Sequence, residues 1–184
     1  MKNNSHQQGF TLIEVLIAFI ILSLGLLGAI ALQAKAKQAS FDAMQRSAAI
    51  ALGNDIIHRM RANDTATFSA LYSGQFHSQS ALGKVSSCYQ ATCSPQQIAA
   101  LDKQQWVRAI QARENTGALD EARVCIKATA VSGGLPNEYN IEVIVSWRGR
   151  QEFKASAENL KTGCGSVNDR RRLVVLNSYI YLRS

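Results

Sequence analysis

Residues 10–32, FTLIEVLIAFIILSLGLLGAIAL, make an apolar run of 23 residues with a single ionisable side chain, Glu14. No other feature constrains the fold as strongly. As an α-helix rising 1.5 Å per residue, the run is about 34 Å long and can cross a hydrocarbon core of roughly 30 Å. A secretory signal peptide has an apolar region of only about 7–15 residues, closed by a small-residue cleavage site. Here the run passes into AKAKQAS without a turn signal, so it is read as a retained membrane helix. A mean hydropathy of -0.07 makes the remainder polar and excludes a polytopic membrane protein.

Glu14 is the anomaly within this run. A carboxylate near the end of a membrane helix costs a few kcal/mol unless it reaches the headgroups, pairs or is protonated. The plainest reading is a side chain solvated at the headgroup level. The preceding residues, MKNNSHQQG, are polar, carry Lys2 and end in Gly9 directly against the apolar run. The string GFTLIEVLIA, Gly9 to Ala18, resembles the prepilin signature of type IV pilins and type II secretion pseudopilins. That resemblance implies cleavage between Gly9 and Phe10 by a membrane prepilin peptidase and N-methylation of Phe10. It makes Glu14 the fifth mature residue, able to pair with the Phe10 ammonium of a neighbouring subunit. A charge costly to bury alone then fixes the axial register of packed helices. Two details fit less neatly. Lys35 and Lys37 follow the run on the side assigned to the periplasm, against the positive-inside tendency. Gly25 and Gly28 stand in a segment where many major pilins carry a proline.

No proline interrupts residues 10–94, and residues 33–61 are rich in the strong helix formers Ala, Gln, Lys and Arg. Phe41, Met44, Ala48, Leu52, Ile56 and Met60 recur at spacings of three and four, one helical face expected to pack on a globular head, with Met44 and Met60 as core filler. Lys37, Arg46, Asn54 and Arg61 occupy the opposite face, Gly53 is a weak point, and Asn63-Asp64 marks the end. A rod from Thr11 to Arg61 would be about 75 Å long, the stem of the lollipop form that the pilin resemblance implies. RSAAIALGNDIIHRMRAND, Arg46 to Asp64, resembles the corresponding block of PilV-class minor pilins. From the residues alone, Arg59 and Arg61 are cations near a helix carboxyl end, where the macrodipole favours them.

The expected organisation is a leader over 1–9, a membrane and assembly helix over 10–32, an amphipathic helix over 33–62 and a head over 63–184. Residues 63–93, rich in Ser, Ala, Gln, Gly and Thr, read as loop. Ser94-Pro95-Gln96-Gln97 reads as a capped helix start, with Ile98, Leu101, Trp106 and Ile110 as its apolar arc and an end near Arg113. Strict alternation in residues 138–147 predicts a half-buried strand. Further strands are expected at Ala122–Val131, Gln151–Ala157 and Leu173–Leu182. The fold class is therefore α+β, an antiparallel sheet laid on the amphipathic part of the helix.

Four cysteines in an exported head invite two disulfides with three possible connectivities. The favoured pairing is Cys88–Cys93, closing a short loop before the capped helix, with Cys125–Cys164 tying a strand to the segment before the last strand. A zinc site lacks paired CxxC spacing, and three scattered histidines do not supply one. No nucleophile elbow, phosphate loop or dinucleotide fingerprint appears, so neither catalysis nor a cofactor is expected. The net charge of +7 permits contact with anionic lipid or nucleic acid, and Arg170, Arg171 and Arg172, with Lys161 and Arg183, form a candidate basic patch. Such a run is usually a solvated face, and direct DNA contact is not the favoured reading.

The leading expectation is a structural protein, a PilV-class minor pilin of a type IV pilus that joins a tip complex priming assembly. That family implies the major pilin, other minor pilins and a PilY-type tip adhesin as partners. It implies the inner membrane as location before assembly and the cell surface after it, with twitching motility, attachment or DNA uptake as outcomes. The alternatives are a minor pseudopilin of a type II secretion system and a pilin that itself binds DNA.

Overall fold

The computed structural model describes residues 9–81, 88, 92–135, 137–154 and 156–183. All of the expected leader except Gly9 lies outside them, as does Ala155 of the strand expected at 151–157. The chain divides into two compact units, Met1–Asp42 and Ala43–Ser184.

Helix α1 (Leu12–Ala62) supplies almost all of the first unit's described structure. Thr11 starts it: the Glu14 amide donates to the Thr11 carbonyl at 3.1 Å and to its hydroxyl at 3.4 Å. Leu, Ile, Val and Ala then hold the helix through Leu32. Every described residue from Gly9 to Ser40 is exposed within this chain.

In the second unit, residues 43–62 of α1 bury one face of the helix. Next come α2 (Phe68–Tyr72), β1 (Gly74–His77), α3 (Pro95–Asn115), β2 (Asp120–Ala130), β3 (Glu138–Arg148), α4 (Ala157–Lys161) and β4 (Arg171–Tyr181). The four strands form one antiparallel sheet in the order β1-β2-β3-β4. Alternation does the work expected of it in β3. Ile141, Val143, Val145 and Trp147 turn to the inner face with Val124, Ile126 and Ala128 of β2 and Val174 and Ile180 of β4. That face packs with Ala49, Leu52, Ile56 and Met60 of α1, Phe68 and Tyr72 of α2, and Trp106, Val107 and Ile110 of α3 in one core. The class is α+β, a long amino-terminal helix whose second part packs on a small antiparallel sheet.

Five expectations need correction. Met44 is half exposed, and the buried stripe runs instead through Gln45, Ala49, Leu52, Gly53, Ile56, Ile57 and Met60. The helix is rotated because Gln45 accepts a hydrogen bond from the buried Trp147 indole at 3.3 Å, and because Gly53 admits β4. A Cβ on Gly53 would collide with Leu176, so this glycine is a packing surface rather than a weak point. On α3, Ile98 is exposed, while Ala99, Asp102, Trp106, Val107 and Ile110 turn inward. Residues 63–81, expected as loop, contain α2 and β1. Finally, no strand forms among the described residues of 151–157, and Phe153 is 67% exposed. Arg148-Gly149-Arg150 does turn the chain, but β4 takes the place beside β3, and Ser156 caps α4 through the Asn159 amide at 3.3 Å.

Candidate assembly site

Three sets of side chains carry the functional expectations. The first is the amino-terminal segment. Gly9 and Phe10 precede α1, and Phe10 is 84% exposed. Glu14 lies in the first helical turn, where the unpaired amides and the positive end of the macrodipole favour a carboxylate. Around it Leu12, Ile13, Val15, Leu16 and Ile17 are exposed. Among the described residues, α1 is the one helix long and apolar enough to cross a membrane. Such a surface is stable only against lipid or other apolar helices.

The second set sits where α1 ends, in the RMRAND block. Arg59 donates from Nε to Asp55 at 3.2 Å, and from Nη1 to Asp102 of α3 at 3.2 Å and to Gln105. Asp55 also accepts from the Trp106 indole at 3.0 Å. Asp102, 6% exposed, accepts from the Tyr72 hydroxyl at 2.8 Å. That hydroxyl accepts in turn from Asn63, whose amide also donates to the Pro95 carbonyl, both at 2.9 Å. Arg61 reaches the Ser178 hydroxyl at 2.6 Å, and Asp64 accepts from the Arg183 amide at 3.1 Å. The block therefore ties the helix end to α2, to the start of α3 and to β4. Burial alone would lower the Arg59 pKa, but the bonds and charges of Asp55 and Asp102 outweigh it and the pKa is raised. Burial raises that of Tyr72, helped by its bond to Asp102. Composition shows none of this, because the partners lie up to 119 residues apart; the macrodipole reading of Arg59 and Arg61 identified the cations without their partners.

The third set is the cysteines and the arginine triad. Cys88 and Cys93 are joined, with Cα atoms 5.4 Å apart, just before the Ser94 capping box of α3. Cys125 on β2 is joined to Cys164, Cα atoms 6.0 Å apart, and the bridge covers Ile144 on the sheet's outer face. Arg170 precedes β4 and Arg171 and Arg172 open it, each with contacts inside the chain. Arg170 pairs with Glu152 at 3.1 Å. Arg171 donates to the carbonyls of Asn159 at 3.3 Å and Thr162 at 2.6 Å, and burial lowers its pKa. Arg172 donates to the Gln151 carbonyl at 3.0 Å and lies 5.1 Å from the centre of the Phe153 ring. The triad thus fastens Gln151, Glu152, Asn159 and Thr162 to the sheet.

Residues 4–30 match the prokaryotic N-terminal methylation motif. Residues 31–104 match the Tt1218-like family, described as the type IV pilin Tt1218. Over these residues the chain is similar to type IV pilins. The methylation motif spans Gly9, Phe10 and Glu14, while the pilin match spans the RMRAND block and ends within α3 at Gln104. No curated protein and no solved structure matches the chain.

Proposed function

We propose that this chain is a minor pilin of the PilV class, which enters a type IV pilus and helps prime its assembly. The observation that carries this reading is the continuity of a prepilin methylation motif with a type IV pilin segment along one helix. The RMRAND network and the two disulfides suit a subunit whose head must stay folded outside the cytoplasm. In this reading prepilin peptidase cuts after Gly9, Phe10 becomes the methylated terminus, and Glu14 pairs with the Phe10 ammonium of an adjacent subunit. The apolar face of residues 12–32 anchors the chain in the inner membrane and is then transferred onto neighbouring pilin helices. The major pilin, other minor pilins and a PilY-type adhesin are the partners this role implies.

The test is mass spectrometry of the chain from sheared surface fibres and from membranes. A methylated Phe10 terminus in the fibres supports the reading. A processed chain confined to membranes would favour a secretion pseudopilin, and an uncut chain in both fractions would overturn the prepilin assignment. Glu14→Ala should leave cleavage intact but lower incorporation at least tenfold, as expected for a loss of about 1.4 kcal/mol at the subunit contact. Incorporation equal to wild type would refute the register role.

A further inference from the structure

Between Glu14 and Asp42 the chain carries no acidic residue, and its only ionisable side chains there are Lys35 and Lys37. Both lie on α1 just past the apolar run. Side chains three or four apart face each other on a helix, and Asp42 is five residues from Lys37 and seven from Lys35. Both lysines are exposed, and neither side chain has an ion-pair or hydrogen-bond partner among the described residues. The carboxyl end of a helix long and apolar enough to cross a membrane thus carries two cations that its own side chains do not neutralise.

The run sets their depth. As a helix, residues 10–32 slightly exceed a hydrocarbon core of roughly 30 Å. Lys35 and Lys37 follow Leu32 by about 4.5 Å and 7.5 Å along the axis, within the polar layer of roughly 5–8 Å that covers each face of the core. Successive helical residues turn by about 100°, so the two lysines leave α1 on opposite flanks, about 160° apart. One packed partner helix covers one of them and not both. Lipid phosphates surround the helix and reach both, and the small side chains of Ala34, Ala36 and Ala39 leave room for headgroups to approach. A zwitterionic headgroup brings its own cation beside each phosphate, so headgroups with net negative charge fit better. We propose that Lys35 and Lys37 bind the phosphates of anionic phospholipids in the leaflet at the carboxyl end of the run. The site presupposes that residues 10–32 lie in a bilayer, and is indifferent to which machine the chain serves. It gives a role to two lysines that run against the positive-inside tendency.

The test uses the full chain in vesicles of phosphatidylcholine and phosphatidylglycerol, with one lipid at a time carrying brominated acyl chains. A tryptophan reports the lipid beside each lysine. Leu32→Trp is three residues from Lys35, and Ile30→Trp lies two turns below Lys37 on its flank. Leu32 and Ile30 are exposed, whereas Trp106 and Trp147 are buried in the second unit and give a background measured on the chain without the new tryptophan. Quenching should show phosphatidylglycerol preferred over phosphatidylcholine by about fivefold at each position, the factor that one basic residue at an anionic surface contributes. Lys35→Gln should remove the preference at residue 32, and Lys37→Gln that at residue 30. The arginine variants should keep it, because the contact needs charge. Equal quenching by the two lipids with both lysines present, or a preference unchanged by the glutamine variants, overturns the proposal. A preference lost when inorganic phosphate replaces chloride at equal ionic strength overturns it in favour of free phosphate. Absence of quenching by either brominated lipid overturns the membrane reading itself, and the lipid site with it.

Discussion

Removing the Asp102 carboxylate should damage the second unit more than any surface ion pair. Asp102 accepts from Arg59 at 3.2 Å and from Tyr72 at 2.8 Å, with a side chain 9% exposed. Breaking a buried pair by deleting one partner costs about 3–5 kcal/mol. Arg59 is 37% exposed, so water can resolvate its guanidinium, which places Asp102→Ala near the low end, about 3 kcal/mol. For a unit of this size that corresponds to a fall in Tm of roughly 10 °C. Glu121→Ala breaks the Arg148–Glu121 pair at 2.7 Å, whose side chains are 42% and 57% exposed, and should cost less than about 1 kcal/mol. Urea unfolding of the full chain in micelles, followed by tryptophan fluorescence, reads the second unit, because Trp106 and Trp147 both belong to its core. A cycle of Arg59→Ala, Asp102→Ala and the double change should show coupling of about 2 kcal/mol. Equal losses for Asp102→Ala and Glu121→Ala, or additive effects of the two changes at the pair, would refute the account of the RMRAND block as a clamp.

Two further outcomes follow from the same unit. On the loop-entropy model, replacing Cys125 and Cys164 together by alanine should cost about 4 kcal/mol and replacing Cys88 and Cys93 about 2, given sequence separations of 39 and 5; denaturant midpoints check the order, and its reversal would contradict it. Because burial and then the bond to Asp102 raise the Tyr72 pKa above its ordinary 10.0, the folded chain keeps a proton that the unfolded chain loses. Stability is therefore insensitive to this group below about pH 10 and falls above it by up to about 1.4 kcal/mol per pH unit. Tyr72→Phe should flatten that fall in unfolding measured on either side of pH 10, and an unchanged slope would exclude Tyr72 as its source.

What the sequence disclosed depended on how local the governing physics was. The apolar run is decided by consecutive residues. The α3 start is decided by Ser94, Pro95 and Gln97, and both halves of the capping box are present, at 3.3 Å and 2.8 Å. Strand β3 announced itself because alternation is a property of neighbours. The α1 stripe was misplaced because Gln45 is buried for the sake of Trp147, 102 residues away. Phe153 and Ala155 imitate a strand pattern, but Arg172 and Asp169 hold the described part of that stretch off the ladder, the Phe153 amide donating to the Asp169 carbonyl at 2.6 Å. Helix α2 and strand β1 have five and four residues, too few to establish a period among the serines and glycines around them. In the helix-end network, Asp55, Arg59, Asn63, Tyr72 and Asp102 are each unremarkable in isolation, and only the fold assembles them.

The arginine triad allows the DNA-binding alternative to be separated from a structural one by geometry. A phosphate site needs guanidinium charge free to meet the backbone, whereas these groups tie Gln151, Glu152, Asn159 and Thr162 to β4. Replacing all three by lysine keeps the charge but loses the planar fork that reaches two carbonyls at once, and the stacking on Phe153. Each lost bond to a charged donor is worth about 1.5–3 kcal/mol at most, less where the donor is exposed. Backbone amides of the 151–162 segment should therefore exchange faster with deuterium in the lysine variant, nearly as fast as in the triple alanine variant. If the triad instead served DNA, the lysine variant would keep wild-type exchange. It would also retain a steep salt-dependent affinity that the alanine variant lost, since phosphate neutralisation requires charge rather than shape. Wild-type exchange at residues 151–162 in the lysine variant would overturn the structural assignment.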